Sequence, residues 1–255
     1  MRVVLLISGG GTTAEAVIKA TQSGRLPRVQ IVGVISNKTN AGGIKKAQKL
    51  KVKTFILDKA QVKDPEKLAK GLLALFRKLK PDLISQNGWL PLTPKAVVSK
   101  YEGKIINQHP GPLDPDRADF GGKGMYGARV TCARIAYAWL TGEKNPWTEA
   151  TTHFVTDKYD QGKIIHVRRM MLSGAKKQIK LADLTKKAKR LEAETAQLQK
   201  LLLPLEHENV IETIDMLSIN PHLIGITRAQ PLILPRFYKF LEQAKEIAIK
   251  IFPKS

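Results

Sequence analysis

Val3-Val4-Leu5-Leu6-Ile7-Ser8-Gly9-Gly10-Gly11 decides how this chain is read. The continuous apolar run fits a strand buried on both faces, where no solvent side demands alternation. Ser8 and the glycines end it at once. Ala14–Thr21 then reads as a helix, and Thr12 with Glu15 has the spacing of a capping box.

The same alternation continues outward. Gln30–Ser36 is a second buried strand, Gly42–Leu50 a lysine-rich helix and Lys53–Leu57 a third strand. Asp64-Pro65-Glu66 opens a helix with proline at its first position. Its Leu68, Leu72, Leu75, Phe76 and Leu79 recur at helical spacing. Leu83–Ser85, a short helix at Pro94–Ser99 and a strand at Lys104–Asn107 complete the pattern. Strands alternating with helices predict an α/β chain with a doubly wound, mostly parallel sheet covered on both faces. Ligands of such sheets sit beyond the carboxyl ends of the strands. The loop Gly9–Gly11, the pair Gly88-Trp89 and the run Asn107-Gln108-His109 all follow strands, so they are expected on one rim.

Beyond Pro110 the chain is loop-rich through Gly124, and a helix follows at Tyr126–Thr141. Thr151–Thr156 and Lys163–Arg169 read as strands around a turn at Asp160-Gln161-Gly162. Asp183–Leu203 reads as one long helix. Its Leu184, Leu191 and Leu198 keep heptad spacing, a pattern read as one packed face rather than a coiled-coil seam. Glu206–Leu217 continues as helix, and Leu234–Phe252 carries an amphipathic stripe of Phe237, Phe240, Leu241, Ala244, Ile247, Ala248 and Ile251.

Composition bounds the function. The 255 residues include 43 Lys+Arg and 22 Asp+Glu, a net charge of +21, and 43% are hydrophobic. That apolar content builds a core and excludes disorder as the main state. Cys132 is the only cysteine, which excludes a disulfide scaffold and a cysteine metal site and suggests a reducing compartment. The first apolar run is too short for a signal peptide, and no run is long enough to span a bilayer. A cytoplasmic location and no membrane partner are therefore expected. The charge attracts polyanions, either nucleic acid or phosphorylated or polycarboxylate small molecules. The densest basic stretches, Lys45–Lys53 and Arg168–Lys200, lack interleaved aromatics for base stacking. A solvated lysine-rich surface is the plainer reading, and nucleic acid is not expected as a partner.

Three segments carry chemistry. Glycines 9–11 before a helix let backbone amides approach an anion, phosphate above all. The loop matches neither the dinucleotide fingerprint nor a P-loop. In Asn107-Gln108-His109-Pro110, the asparagine amide is a donor and the imidazole a donor or proton shuttle. Two donors aimed at one point suit a developing oxyanion. In His153–Gly162, Asp157 and Asp160 fall in or near a turn, and either can favour a charged His109. His153 alternates with Val155 and is expected to pack inside.

Taken in order, Ile7–Thr12, Val34-Ile35-Ser36-Asn37-Lys38, Gly88-Trp89, Ile106–Pro110, Phe120–Gly127 and Thr152–Ile165 resemble the phosphoribosylglycinamide formyltransferase family of folate-dependent enzymes. The likeness covers roughly residues 1–217. It implies the formyltransferase fold, a Rossmann-like sheet with a folate cleft. Residues 1–100 would form the phosphate-binding half, 101–170 the catalytic and folate-binding half and 183–217 C-terminal helices, with 218–255 a helical tail. It implies 10-formyltetrahydrofolate as co-substrate, glycinamide ribonucleotide as acceptor, no metal, and a monomer or homodimer. Asn107, His109 and Asp160 match the family's catalytic residues, and Gly9, Gly10, Gly11, Thr12 and Thr13 its phosphate loop. Trp89, Leu90, Leu92, Val155, Thr156 and Asp157 match its folate pocket. Glu206 matches the glutamate at the substrate's glycine end, with Glu192 the competing choice.

The chain departs from the family in places. Thr12-Thr13 replace the usual Ser-Asn. Asp114–Asp119 is longer than usual, and Gly88–Pro94 is one residue shorter. Methionyl-tRNA and amino-sugar-nucleotide formyltransferases are rivals within the fold, and a nucleic-acid-binding protein with lapsed chemistry is a rival outside it.

Overall fold

The computed structural model describes residues 1–57, 62–172 and 178–253. Residues 173–177 of the basic stretch Arg168–Lys200, and the last two residues of the 218–255 tail, lie outside the described residues. A single sheet of seven strands organises the chain. They are β1 (Arg2–Ile7), β2 (Gln30–Ser36), β3 (Thr54–Ile56), β4 (Leu83–Gln86), β5 (Ile105–His109), β6 (Trp147–Phe154) and β7 (Ile164–Met171). Their order is β3-β2-β1-β4-β5-β6-β7. The first five pair in parallel, and β6 and β7 add as antiparallel strands. β1 lies between β2 and β4, which is why Val3–Ile7 needs no polar face. The chain steps outward from β1 to β3 and then returns to β4 on the other side. That reversal opens a crevice at the carboxyl ends of β1 and β4.

The helices are α1 (Thr12–Gln22), α2 (Gly42–Lys49), α3 (Pro65–Leu79), α4 (Lys95–Lys100), α5 (Ala128–Thr141), α6 (Leu181–Lys186), α7 (Ala188–Ile219) and α8 (Tyr238–Ile251). One core joins Val3, Leu5 and Ile7 to Val17 and Ile18 of α1, Ile44 of α2 and Val210 and Ile214 of α7. The opposite face buries Val4, Leu6 and Ile84 against Leu68, Leu72 and Phe76 of α3. A third core surrounds α5 with Leu184, Leu191 and Leu198 on one side and Leu241, Ala244 and Ala248 of α8 on the other. The heptad leucines thus pack toward α5, as one face. α3 begins as its sequence dictates: Pro65 follows Asp64, whose carboxylate accepts the amides of Glu66 and Lys67.

Several local expectations are corrected. Thr12 and Glu15 form no capping box. Gly11 is the N-cap, in the left-handed conformation, so Thr12 falls inside the helix. Glu15 instead pairs with Lys19 at 2.8 Å and Lys46 at 2.9 Å. β6 begins at Trp147 rather than Thr151 because it pairs with β7 as far as Met171. The expected helix from Asp183 is broken at Lys187 into α6 and α7, and α7 then runs unbroken through Pro204. After α7 the chain crosses the sheet edge through an isolated bridge between Ile226 and Ile164. A 3₁₀ turn at Pro235–Phe237 then leads into α8.

Candidate active site

The crevice is a cleft of about 820 Å³ at the carboxyl ends of the strands. One wall is backbone. β1 ends in Ser8, and Gly9–Gly11 turn the chain into α1. No side chain caps that helix, so its first amides stay open to an anion. Gly11 has φ +63°, and a Cβ there would lie 2.5 Å from the Gly43 Cα, so α2 packs against this turn only because both residues are glycine. The floor follows β4. Ser8 Oγ accepts the Leu90 amide at 2.9 Å, and Gln86 Nε2 donates to Thr93 Oγ1 at 2.6 Å. These bonds fix the Gly88–Thr93 turn, which lays Leu90 and Leu92 along the cleft with 36% and 39% of their surface still open.

The other wall is side chains. Antiparallel pairing sets Asn107 of β5 opposite His153 of β6 and His109 opposite Thr151. Asn107 and His109 are two apart on one strand, so they share a face. His109 Nδ1 lies 3.1 Å from the Gly111 carbonyl, which only accepts, so Nδ1 carries a hydrogen and donates. Nε2 is left facing Asp160 Oδ2 at 3.9 Å, buried and without a hydrogen-bond partner. His153 likewise donates from Nδ1 to the Phe154 carbonyl at 2.7 Å, and its Nε2 receives the Asn107 amide at 3.1 Å. Asp160 Oδ1 lies 3.6 Å from that same nitrogen.

Asp160 sits in the turn after β6 at φ +57°, a conformation that a short polar side chain tolerates. Its Oδ2 accepts the Gly122 amide at 2.9 Å. A Cβ on Gly121 would come within 2.8 Å of the Asp160 Cβ, so only glycine lets this loop wrap the carboxylate. Burial alone would raise the Asp160 pKa. The opposite charge of a protonated His109, the polar His153 ring and the Gly122 amide overcome it and hold the carboxyl at about 2. Glu206 on α7 behaves oppositely. Burial pushes it up to about 7, against a smaller pull from the nearby Gln108 amide.

Gly9, Gly10, Gly11, Thr12, Thr13, Trp89, Leu90, Leu92, Asn107, His109, Val155, Thr156, Asp160 and Glu206 all line this cleft. Asp157 does not; it is exposed to solvent beside it. Glu192, exposed on α7, is also outside the lining. Sequence reasoning missed His153, which packs inside as expected yet also reaches the cleft. It missed Lys200 and Leu203 of α7 and Tyr126 before α5 as well. Among the described residues no cluster of His, Cys, Asp or Glu suits a metal ion. No described helix is long and apolar enough to cross a membrane.

Residues 1–196 match the family model described as formyl transferase. The chain belongs to the formyl transferase family. Two curated relatives are named phosphoribosylglycinamide formyltransferase. The chloroplastic protein of Vigna unguiculata is 30% identical over 168 residues, which are 66% of this chain and 50% of that protein. The Escherichia coli protein is 28% identical over 165 residues, 65% of this chain and 70% of its own. This formyl transferase chain thus spans about half the length of the plant relative. Among solved structures, glycinamide ribonucleotide transformylase 1 from Symbiobacterium toebii superposes with a TM-score of 0.70 at 22% identity. The match covers 89% of this chain and 94% of that one, a likeness of fold.

Proposed function

We propose that this protein transfers the formyl group of 10-formyltetrahydrofolate to the amine of glycinamide ribonucleotide. One observation carries the reading: Asn107, His109 and Asp160 converge between an open anion-binding helix end and an apolar slot. The cleft also suits the donor. Leu90, Leu92 and Val155 offer an apolar surface, and the buried Trp89 Nε1 has no hydrogen-bond partner among the described residues.

The geometry supports the following roles. The acceptor's phosphate sits on the amides of Gly9–Thr13. Its amine lies toward Glu206, whose pKa near neutrality suits it to take the ammonium proton. The free amine then attacks the formyl carbon. Negative charge grows on the formyl oxygen, where the Asn107 amide and a protonated His109 Nε2 stabilise it. Asp160 favours that imidazolium and assists transfer of the amine's proton to the leaving folate nitrogen. The new C–N bond forms first, giving a tetrahedral intermediate, and its collapse breaks the old C–N bond, giving formylglycinamide ribonucleotide and tetrahydrofolate. Direct attack needs neither a metal nor a covalent enzyme intermediate.

The test is formyl transfer between these two substrates, with His109→Ala in parallel. Turnover by the native protein that drops about 100- to 1000-fold in the variant is expected. A folded native protein without transfer to this acceptor would defeat the reading and send the search to other amines.

A further inference from the structure

The matched family segment ends at residue 196, yet residues 218–253 reach back to the loop that frames the site. Arg228 donates from Nε to the Leu113 carbonyl at 2.7 Å and from Nη2 to Glu149 Oε1. Its own carbonyl accepts from Arg117 Nη2 at 2.5 Å. The Asp114 carboxylate receives the Leu232 amide at 2.7 Å and the Arg117 guanidinium at 2.6 Å. Lys245 of α8 donates to the Gly121 carbonyl at 3.1 Å. All of these bonds except the one to Glu149 hold the run from Leu113 to Gly121. That run starts beside the Gly111 carbonyl, which orients His109, and ends beside the Gly122 amide, which holds Asp160.

A second path leads to the same histidine. Glu149 is fully buried on β6, with Oε1 3.3 Å from the Thr151 hydroxyl. That hydroxyl donates to the Gly111 carbonyl at 2.9 Å, the acceptor shared with His109 Nδ1. Among the described residues Glu149 has one other cation in ion-pair range, Arg169 at 3.6 Å, whose side chain is 51% exposed. Arg228, 18% exposed, is its close partner.

We propose that Arg228 is a positioning residue for formyl transfer. It ties the C-terminal segment to Leu113 and Glu149, and so fixes the orientation of His109 and the seat of Asp160. It lies outside the cleft lining and touches no substrate. The proposal rests on the function given above, so its test has an arm independent of turnover.

In the full chain, Arg228→Met is expected to lower kcat about tenfold to a hundredfold, since small misplacements cost that much. KM for either substrate stays within about twofold, because no binding contact is removed. Arg228→Lys fails to restore kcat, since an ammonium cannot serve both acceptors of the planar fork. Hydrogen exchange at the Gly121 and Gly122 amides speeds up while α3 is unaffected, and the His109 ring-nitrogen NMR signals shift. Native kcat in Arg228→Met, or unchanged exchange and unchanged histidine signals, would overturn the proposal. Removing Arg228 leaves a buried carboxylate poorly paired, which threatens folding. The double variant Glu149→Gln/Arg228→Met removes that charge as well and carries the same test. Native kcat in the double variant would show Arg228 to be a mere counter-charge and also overturn the proposal. If the native protein transfers no formyl group, the functional reading fails, and exchange and the histidine signals alone decide this one.

Discussion

The two walls of the cleft are built by opposite means. Along β1 the polar groups are backbone amides at a helix end, shaped by Gly11 packed against Gly43. Along β5 and β6 they are side chains, each seated by a second residue: Asn107 by the His153 ring, His109 by the Gly111 carbonyl, Asp160 by the Gly122 amide. The first wall depends on backbone conformation and on close backbone packing. The second depends on side chains seated by partners, two of which lie 46 and 38 positions away in the chain. The difference teaches where mutation should act: on fit and folding along the glycine wall, on chemistry along the histidine wall.

Asp160→Asn should show the largest effect. It removes the charge that favours the His109 imidazolium, and kcat should fall about 100-fold or more. Stability carries a pH signature. Because the Asp160 carboxyl lies at about 2 rather than its ordinary 3.8, its charge stabilises the fold above pH 3.8. That stabilisation is lost as pH falls through about 2. The stability gap between native and variant proteins should therefore narrow across that range in acid-unfolding curves. A gap that widens toward acid would contradict the arrangement around Asp160.

Gly11→Ala comes next. Its Cβ meets the Gly43 Cα at 2.5 Å in a left-handed backbone, so about 1–3 kcal/mol of stability should be lost, measured by denaturant unfolding. The KM for the phosphate-bearing substrate should rise while kcat at saturation is largely kept. A fall in kcat with KM unchanged would erase the contrast between the walls. Thr12→Ala should be mildest, within about threefold in KM, because amides rather than hydroxyls face the anion. A larger steady-state effect would move the Thr12 hydroxyl into the binding set.

The sequence made the glycine wall and the central sheet legible, since each depends on a short run. Val3–Ile7 is buried on both faces as its unbroken apolar pattern requires. Asn107 and His109 were also legible, as paired donors at a strand end. The role of His153 was not, because it arises from antiparallel register against Asn107, which periodicity does not reveal. Nor was the pairing of Glu149 with Arg228, residues 79 positions apart. Asp157 shows the converse. It lies two strand-end residues from the wall, but the chain turns there and leaves it in solvent.

Pro204 lies within α7 and has no amide hydrogen, so the Lys200 carbonyl lacks its usual helical bond. Ahead of that point α7 is anchored by Leu191 and Leu198 beside α5, and beyond it by Val210 and Ile214 beneath β1. Lys200, Leu203 and Glu206 bracket the gap and face the cleft. Mechanically, α7 is two moored beams meeting at a compliant joint, and the joint borders the ligand space.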